Sequence, residues 1–143
     1  MVKRRNKYNA VRTEYNGIEY DSALEASRAM QLDGLLRATD PDIEDWARQV
    51  DTPLGDNDIV RLDFVVLEIG GDVHAEEVKG GPTPKSGERW MRWRATGTGR
   101  RYGRLVKLWK QYGEYPLCVL FPIGRATGLK QQWHRQWVEG GRQ

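Results

Sequence analysis

The strongest pattern of apolar and polar positions lies between Arg61 and Gly80. Leu62, Phe64, Val65, Val66 and Leu67 form an apolar run broken by one carboxylate, Asp63. A second run, Val73 to Lys79, follows a glycine turn at Gly70-Gly71. Together they predict a hairpin of two strands, Ile59 to Ile69 and Val73 to Lys79. Upstream, Thr13 to Tyr20 predicts a small hairpin around Asn16-Gly17, a strong turn signal. Asp21 to Leu36 predicts a helix, with Ser22 as N-cap and Ser22-x-x-Glu25 as a capping box. Glu25, Ala29, Leu32 and Leu36 then share one face. Asp40-Pro41 marks the stop. Ile43 to Val50 reads as the first sheet strand with Trp46 as an anchor, and Pro53 to Asp58 as a loop. Residues 81–99 read as a basic, aromatic loop holding a short helix at Glu88 to Arg94. Arg100 to Tyr112 predicts a further helix with the stripe Leu105, Leu108, Trp109 and Tyr112. Pro116 to Phe121 predicts a buried strand. Leu129, Trp133 and Trp137, spaced by four, predict a C-terminal helix over Leu129 to Val138, with residues 128–143 as helix and tail.

Residues i and i+2 of a strand point to the same side, so Glu77 and Lys79 emerge together and Val78 turns away. Asp63 can join them only if an odd-numbered loop, or a bulge, connects the two strands. A three-residue loop near Ile69 to Asp72 is therefore expected. Asp63 inside a buried run needs a partner, because an unpaired buried charge is costly. Two readings stand for these residues: a surface salt bridge on a hairpin, or a site for a cation. Two also stand for Glu25, as a cap or as a carboxylate aimed over the sheet. Carboxylates converging in a dry site require a cation or a proton. Mg²⁺ takes a few carboxylate oxygens and keeps positions for water and phosphate. Asp63, Glu77 and the Val78 carbonyl would hold such an ion, with Glu25 near it, and Lys79 would orient water or offset charge on a phosphorane.

The charge distribution points the same way. Of 143 residues, 30% are charged and 38% hydrophobic, and the net charge is +3. Between Lys79 and Lys110 the basic residues include Lys85, Arg89, Arg92, Arg94, Arg100, Arg101 and Arg104, against the single acid Glu88. Residues 1–12 read as a flexible basic arm carrying Lys3, Arg4, Arg5 and Lys7. These cations are the expected nucleic-acid contacts, while the acids gather between Asp33 and Asp63. Trp90 and Trp93 serve either as base-stacking platforms or as packing. Cys118 is the only cysteine, which excludes an internal disulfide and a cysteine-rich zinc site. The chain is expected to be one domain, cytoplasmic, without a membrane span or secretory signal. Neither the Lys85-Ser86 pair nor Gly97-Thr98-Gly99…Gly103 has the spacing of a phosphate-binding loop. Neither His74, on the strand face opposite Glu77, nor the distant His134 reads as catalytic.

The order of these pieces resembles the PD-(D/E)XK nuclease superfamily, with Leu62 standing where that motif has proline. The segments Lys7-Tyr8-Asn9-Ala10, Thr13 to Ala26, Arg48-Gln49-Val50, Leu62-Asp63-Phe64 and Glu76-Glu77-Val78-Lys79-Gly80 are similar to a phage-encoded family of endonucleases related to Holliday junction resolvases. The resemblance implies an α/β fold with a restriction-endonuclease-like αβββαβ core, a mixed central sheet flanked by helices. It implies Glu25, Asp63, Glu77 and Lys79 as the catalytic set, Gln49 as an accessory, and Mg²⁺ or Mn²⁺ as cofactor. The implied partner is DNA, above all four-way junctions, cut by a homodimer with two active sites. Other nicking, trimming or general cleavage of phage DNA is the alternative. A DNA-binding protein on an inactive nuclease scaffold is the alternative of another class.

Overall fold

The computed structural model describes residues 3–5 and 11–143; Lys3, Arg4 and Arg5 are described as backbone only. Lys7 and the other residues from 6 to 10 lie outside the described residues. Strands β1 (Lys3–Arg5), β2 (Val11–Tyr15) and β3 (Ile18–Tyr20) form a small antiparallel sheet. Within the segment expected to be a flexible basic arm, Lys3–Arg5 pairs with Val11–Thr13. Asn16 and Gly17 make the tight turn between β2 and β3 as the sequence predicts. Helix α1 (Ala23–Leu36) follows, capped by Ser22, whose Oγ accepts the Glu25 N–H at 3.1 Å. Tyr15 Oη donates to Asp33 Oδ2 at 2.6 Å and ties the small sheet to α1.

A second sheet of five strands runs β4 (Ile43–Leu54), β5 (Asp58–Glu68), β6 (Val73–Val78), β7 (Leu117–Ile123) and β8 (Gln132–Val138). It is mixed: β6 and β7 are parallel and the other neighbours antiparallel. Helices α2 (Glu88–Arg94) and α3 (Gly97–Tyr112) form the crossover between the parallel pair. Helix α1 covers one face through Ala26, Ala29 and Leu32, packed on Phe64, Val66, Val78, Cys118, Leu120 and Trp133. Helix α3 covers the other through Tyr102, Leu105 and Trp109, packed on Leu62, Ala75, Leu117, Val119 and Phe121. Along β7 the residues alternate between these two cores, as the period of a doubly buried strand requires.

Several boundaries differ from the sequence reading. β4 continues through Pro53 because it is an edge strand, where a residue without an N–H is tolerated, so the expected loop shrinks to a turn at residues 55–57. α3 starts at Gly97, inside the expected loop, with Thr96 as its cap. The C-terminal helix is not formed. Gly128–Lys130 is a short 3₁₀ turn and Gln132–Val138 is strand β8. A spacing of four suits both a helix of 3.6 residues per turn and a strand of period two, and here the strand wins. Trp133 is buried in the α1 core, while Trp137 is 50% exposed and meets His74 edge-on.

Trp90 and Trp93 resolve to packing. Both pack against Tyr102 and Phe121 beneath α3. Gly81 allows this, since a Cβ there would stand 2.3 Å from the Trp93 ring. Among the described residues, no helix is long and apolar enough to cross a membrane.

Candidate active site

The register of β5 and β6 decides whether Asp63 and Glu77 can meet. The paired residues are Phe64 with Glu76, Val65 with Ala75, Val66 with His74, and Leu67 with Val73. The Glu68 N–H donates to the Asp72 carbonyl at 2.8 Å, leaving Ile69, Gly70 and Gly71 as a three-residue loop. Gly70 and Gly71 both adopt positive φ, near 100°, which a side chain would resist. An odd loop keeps Asp63 and Glu77 in register, so the condition set by the sequence is met.

Past Phe64 and Glu76 the two strands part, and side chains bridge the gap. The Asp63 N–H donates to Glu77 Oε1 at 2.7 Å. The Val78 N–H donates to Asp63 Oδ2, also at 2.7 Å. Lys79 Nζ lies 3.4 Å from Glu77 Oε2. From the N-terminal end of α1, the Glu25 carboxyl reaches over the sheet to hydrogen-bond with that of Asp63. The cap and the site are thus compatible for Glu25: its backbone N–H serves Ser22 and its side chain serves Asp63.

The alternation of β5 breaks at this point. Leu62 and Phe64, two positions apart, lie in cores on opposite faces of the sheet. On β4, Gln49 falls between the Arg48–Phe64 and Val50–Leu62 pairs and takes the left-handed conformation, φ 50°. For a residue with a Cβ that conformation costs roughly 1–2 kcal/mol. Gln49 itself is exposed, so its place beside Asp63 is a matter of backbone geometry.

The electrostatics are those of crowded acids. Burial and the Asp63 charge push Glu77 up to about 8. Burial and the same charge push Glu25 up to about 9. Asp63 is raised by burial, against the opposing pull of the Val78 N–H, the Glu25 hydrogen bond and Lys79. One acid escaped the sequence reading. Asp21, just before the cap, adds its negative field to both Glu25 and Asp63. Arg12 bridges it to Glu19, at 3.3 Å from Asp21 and 3.2 Å from Glu19. Its position beside the N-cap, at the same helix end as Glu25, was the available signal.

On the opposite face of β6 lies a second buried polar group. Arg28, one turn after Glu25, grips both Glu76 oxygens at 2.6 and 2.7 Å. His74 bridges Glu76 at 2.8 Å and Glu68 at 3.0 Å. Although burial opposes it, Arg28 and His74 hold Glu76 down at about 2. This network is satisfied and structural: it pins α1 to β6 beside Glu25 and Glu77. Cys118, next to it, is buried, with its thiol pushed up to about 12 by burial, and is inert.

The expected nucleic-acid contacts separate in space. Arg101 and Arg104 line the cleft that holds Glu77 and Lys79, while Arg94 and Arg100 line a neighbouring one with Arg104. Lys85, Arg89 and Arg92 are exposed on the α2 segment. Among the described residues, no three His, Cys, Asp or Glu side chains are placed so that they could hold a metal ion as they stand. One oxygen each of Asp63 and Glu77 is turned onto a backbone N–H instead. The donor set still fits a hard divalent cation: its oxygens are carboxylates that burial and mutual repulsion load with protons, which a cation would displace. Comparison of the chain with family models, curated proteins and solved structures returns no match.

Proposed function

We propose that the protein is a divalent-metal-dependent DNA endonuclease built on a restriction-endonuclease-like αβββαβ core, with branched four-way junctions as its leading substrate. One observation carries the reading: Glu25, Asp63 and Glu77, from three separate elements, meet beside Lys79 where β5 and β6 part. A surface salt bridge needs neither the third carboxylate nor the open ladder. The element order helix, three strands, helices, strand supports the core, with β8 added at its edge.

Asp63 and Glu77 would hold Mg²⁺ or Mn²⁺ through the oxygens not taken by backbone N–H groups, displacing their contacts to Glu25 and Lys79, with the Val78 carbonyl and Glu25 as further donors. When bound, the ion supplies charge neutralisation and Lewis-acid activation at a phosphodiester. The chain's own residues do the remainder. Lys79, held by Glu77 and 18% exposed, presents its ammonium to charge developing on phosphate. The Val78 and Asp63 N–H bonds fix both carboxylates in place. In the metal-free protein Glu25 would share a proton with Asp63. A homodimer would supply one such site to each strand of a junction.

The test is incubation with Mg²⁺ and a four-way junction, a matched linear duplex and a single strand. Paired cuts near the branch alone support junction resolution. Equal cutting of the duplex would make this a general nuclease. Binding without cleavage of any substrate would reduce it to an inactive scaffold and refute the proposal.

A further inference from the structure

Helix α3 separates two clefts that share Arg104 and Leu108. The first, about 220 Å³, contains Glu77 and Lys79. The second, about 620 Å³, lies further along the same helix and is walled by Arg94, Arg100, Arg104 and Lys107. Asp58 is the only acid lining it. We propose that this second cleft is a docking track for the DNA sugar-phosphate backbone of one duplex arm, leading away from the cut. The proposal rests on the nuclease reading for its polarity and on the cleft's own chemistry for its ligand.

The cations are organised in advance. The Arg94 guanidinium donates to the Gly99 carbonyl at 2.5 Å and lies 5.3 Å from the Tyr102 ring centre. Arg100 Nη1 donates to the Ala95 carbonyl at 2.9 Å. Side chains tethered this way lose little further freedom when phosphate binds. Tyr102, Leu105 and Trp109 bury the other side of α3, which fixes the helix against the sheet. Arg100 to Lys107 spans about 10 Å of helix rise, enough for about two successive phosphates of one strand.

Arg104 belongs to both clefts and is ion-paired with Asp58. The arginine is 67% exposed and the aspartate 26% exposed. Phosphate arriving in the track competes with Asp58 for this guanidinium. Asp58 therefore weakens binding, and its removal has the opposite sign to removal of the cations. A merely structural role could not produce that pair of signs.

The experiment measures binding of a junction and a linear duplex in EDTA over a salt series. The full chain carries Asp63→Asn throughout, so that nothing is cut. Arg100→Ala and Lys107→Ala are each expected to weaken binding about 3–10-fold and to flatten the salt slope by about 0.9. Asp58→Asn is expected to strengthen it about 2–5-fold. Lys130→Ala, on the α1 side of the sheet, serves as the control and should change neither. Unchanged affinity and slope in Arg100→Ala and Lys107→Ala would overturn the track even if the wild-type protein cuts DNA. Weakened binding in those variants, with no cutting by wild type, would uphold the track while the nuclease reading fell.

Discussion

Glu77→Gln should stabilise the protein in EDTA at pH 8 while abolishing the proposed cleavage. Glu77 is 6% exposed, and burial together with Asp63 raises it from 4.5 to about 8. At about 1.4 kcal/mol per pH unit, the fold disfavours the charged carboxylate by roughly 5 kcal/mol. The folded protein holds this proton to higher pH than the unfolded chain does. Stability from this group is therefore full below about 4.5 and is lost as pH rises toward about 8. Glutamine keeps the carbonyl oxygen that accepts the Asp63 N–H, and drops the charge. It forfeits the contact with Lys79, so the net gain at pH 8 should be about 1–3 kcal/mol. The assay is urea denaturation in EDTA of both proteins, at pH 5 and pH 8. The variant should match wild type at pH 5 and exceed it at pH 8. A variant destabilised equally at both pH values would refute the reasoning, because Glu77 would then be a charged, well-paired partner of Lys79.

Other consequences are equally direct. Lys79→Ala should lower the cleavage rate on the order of 10²–10³-fold with junction affinity nearly unchanged, measured by single-turnover kinetics. Arg28→Met should cost about 3–5 kcal/mol in denaturant, because it leaves Glu76 buried with, among the described residues, His74 as its one remaining partner. Glu76, depressed to about 2, contributes stability that is present above about 4.5 and lost as pH falls toward about 2; an acid titration followed by circular dichroism should show this loss weakened in Glu76→Gln. Gln49→Gly should stabilise the fold by about 1 kcal/mol, because glycine accepts φ 50° without strain; a lower Tm would show that the glutamine side chain matters more.

Where period and turn chemistry agreed, the sequence was legible. Asn16-Gly17, the Ser22 cap and the two central strands all followed from local rules, and the parity of Asp63 and Glu77 demanded the odd loop that Ile69 to Gly71 supplies. The C-terminal segment failed because Trp133 and Trp137 are compatible with either period. What settles it is pairing with β7, a contact between distant segments that no local pattern reveals. The Lys3–Arg5 strand escaped notice for the same reason. Nothing local in the sequence singled out Arg28 and Glu76 as a buried pair, since burial of a polar group depends on which partner the fold delivers. Trp90 and Trp93 were ambiguous until the fold set their rings against Phe121 and Tyr102, a contact between distant segments.

In the proposed enzyme, acids from α1, β5 and β6 share one divalent ion. Mn²⁺ titration followed by electron paramagnetic resonance reads that sharing without any substrate. Wild-type protein at neutral pH should deplete the free Mn²⁺ signal in saturable fashion, and Asp63→Asn should not. Equal depletion by both proteins, or none by wild type, would contradict it.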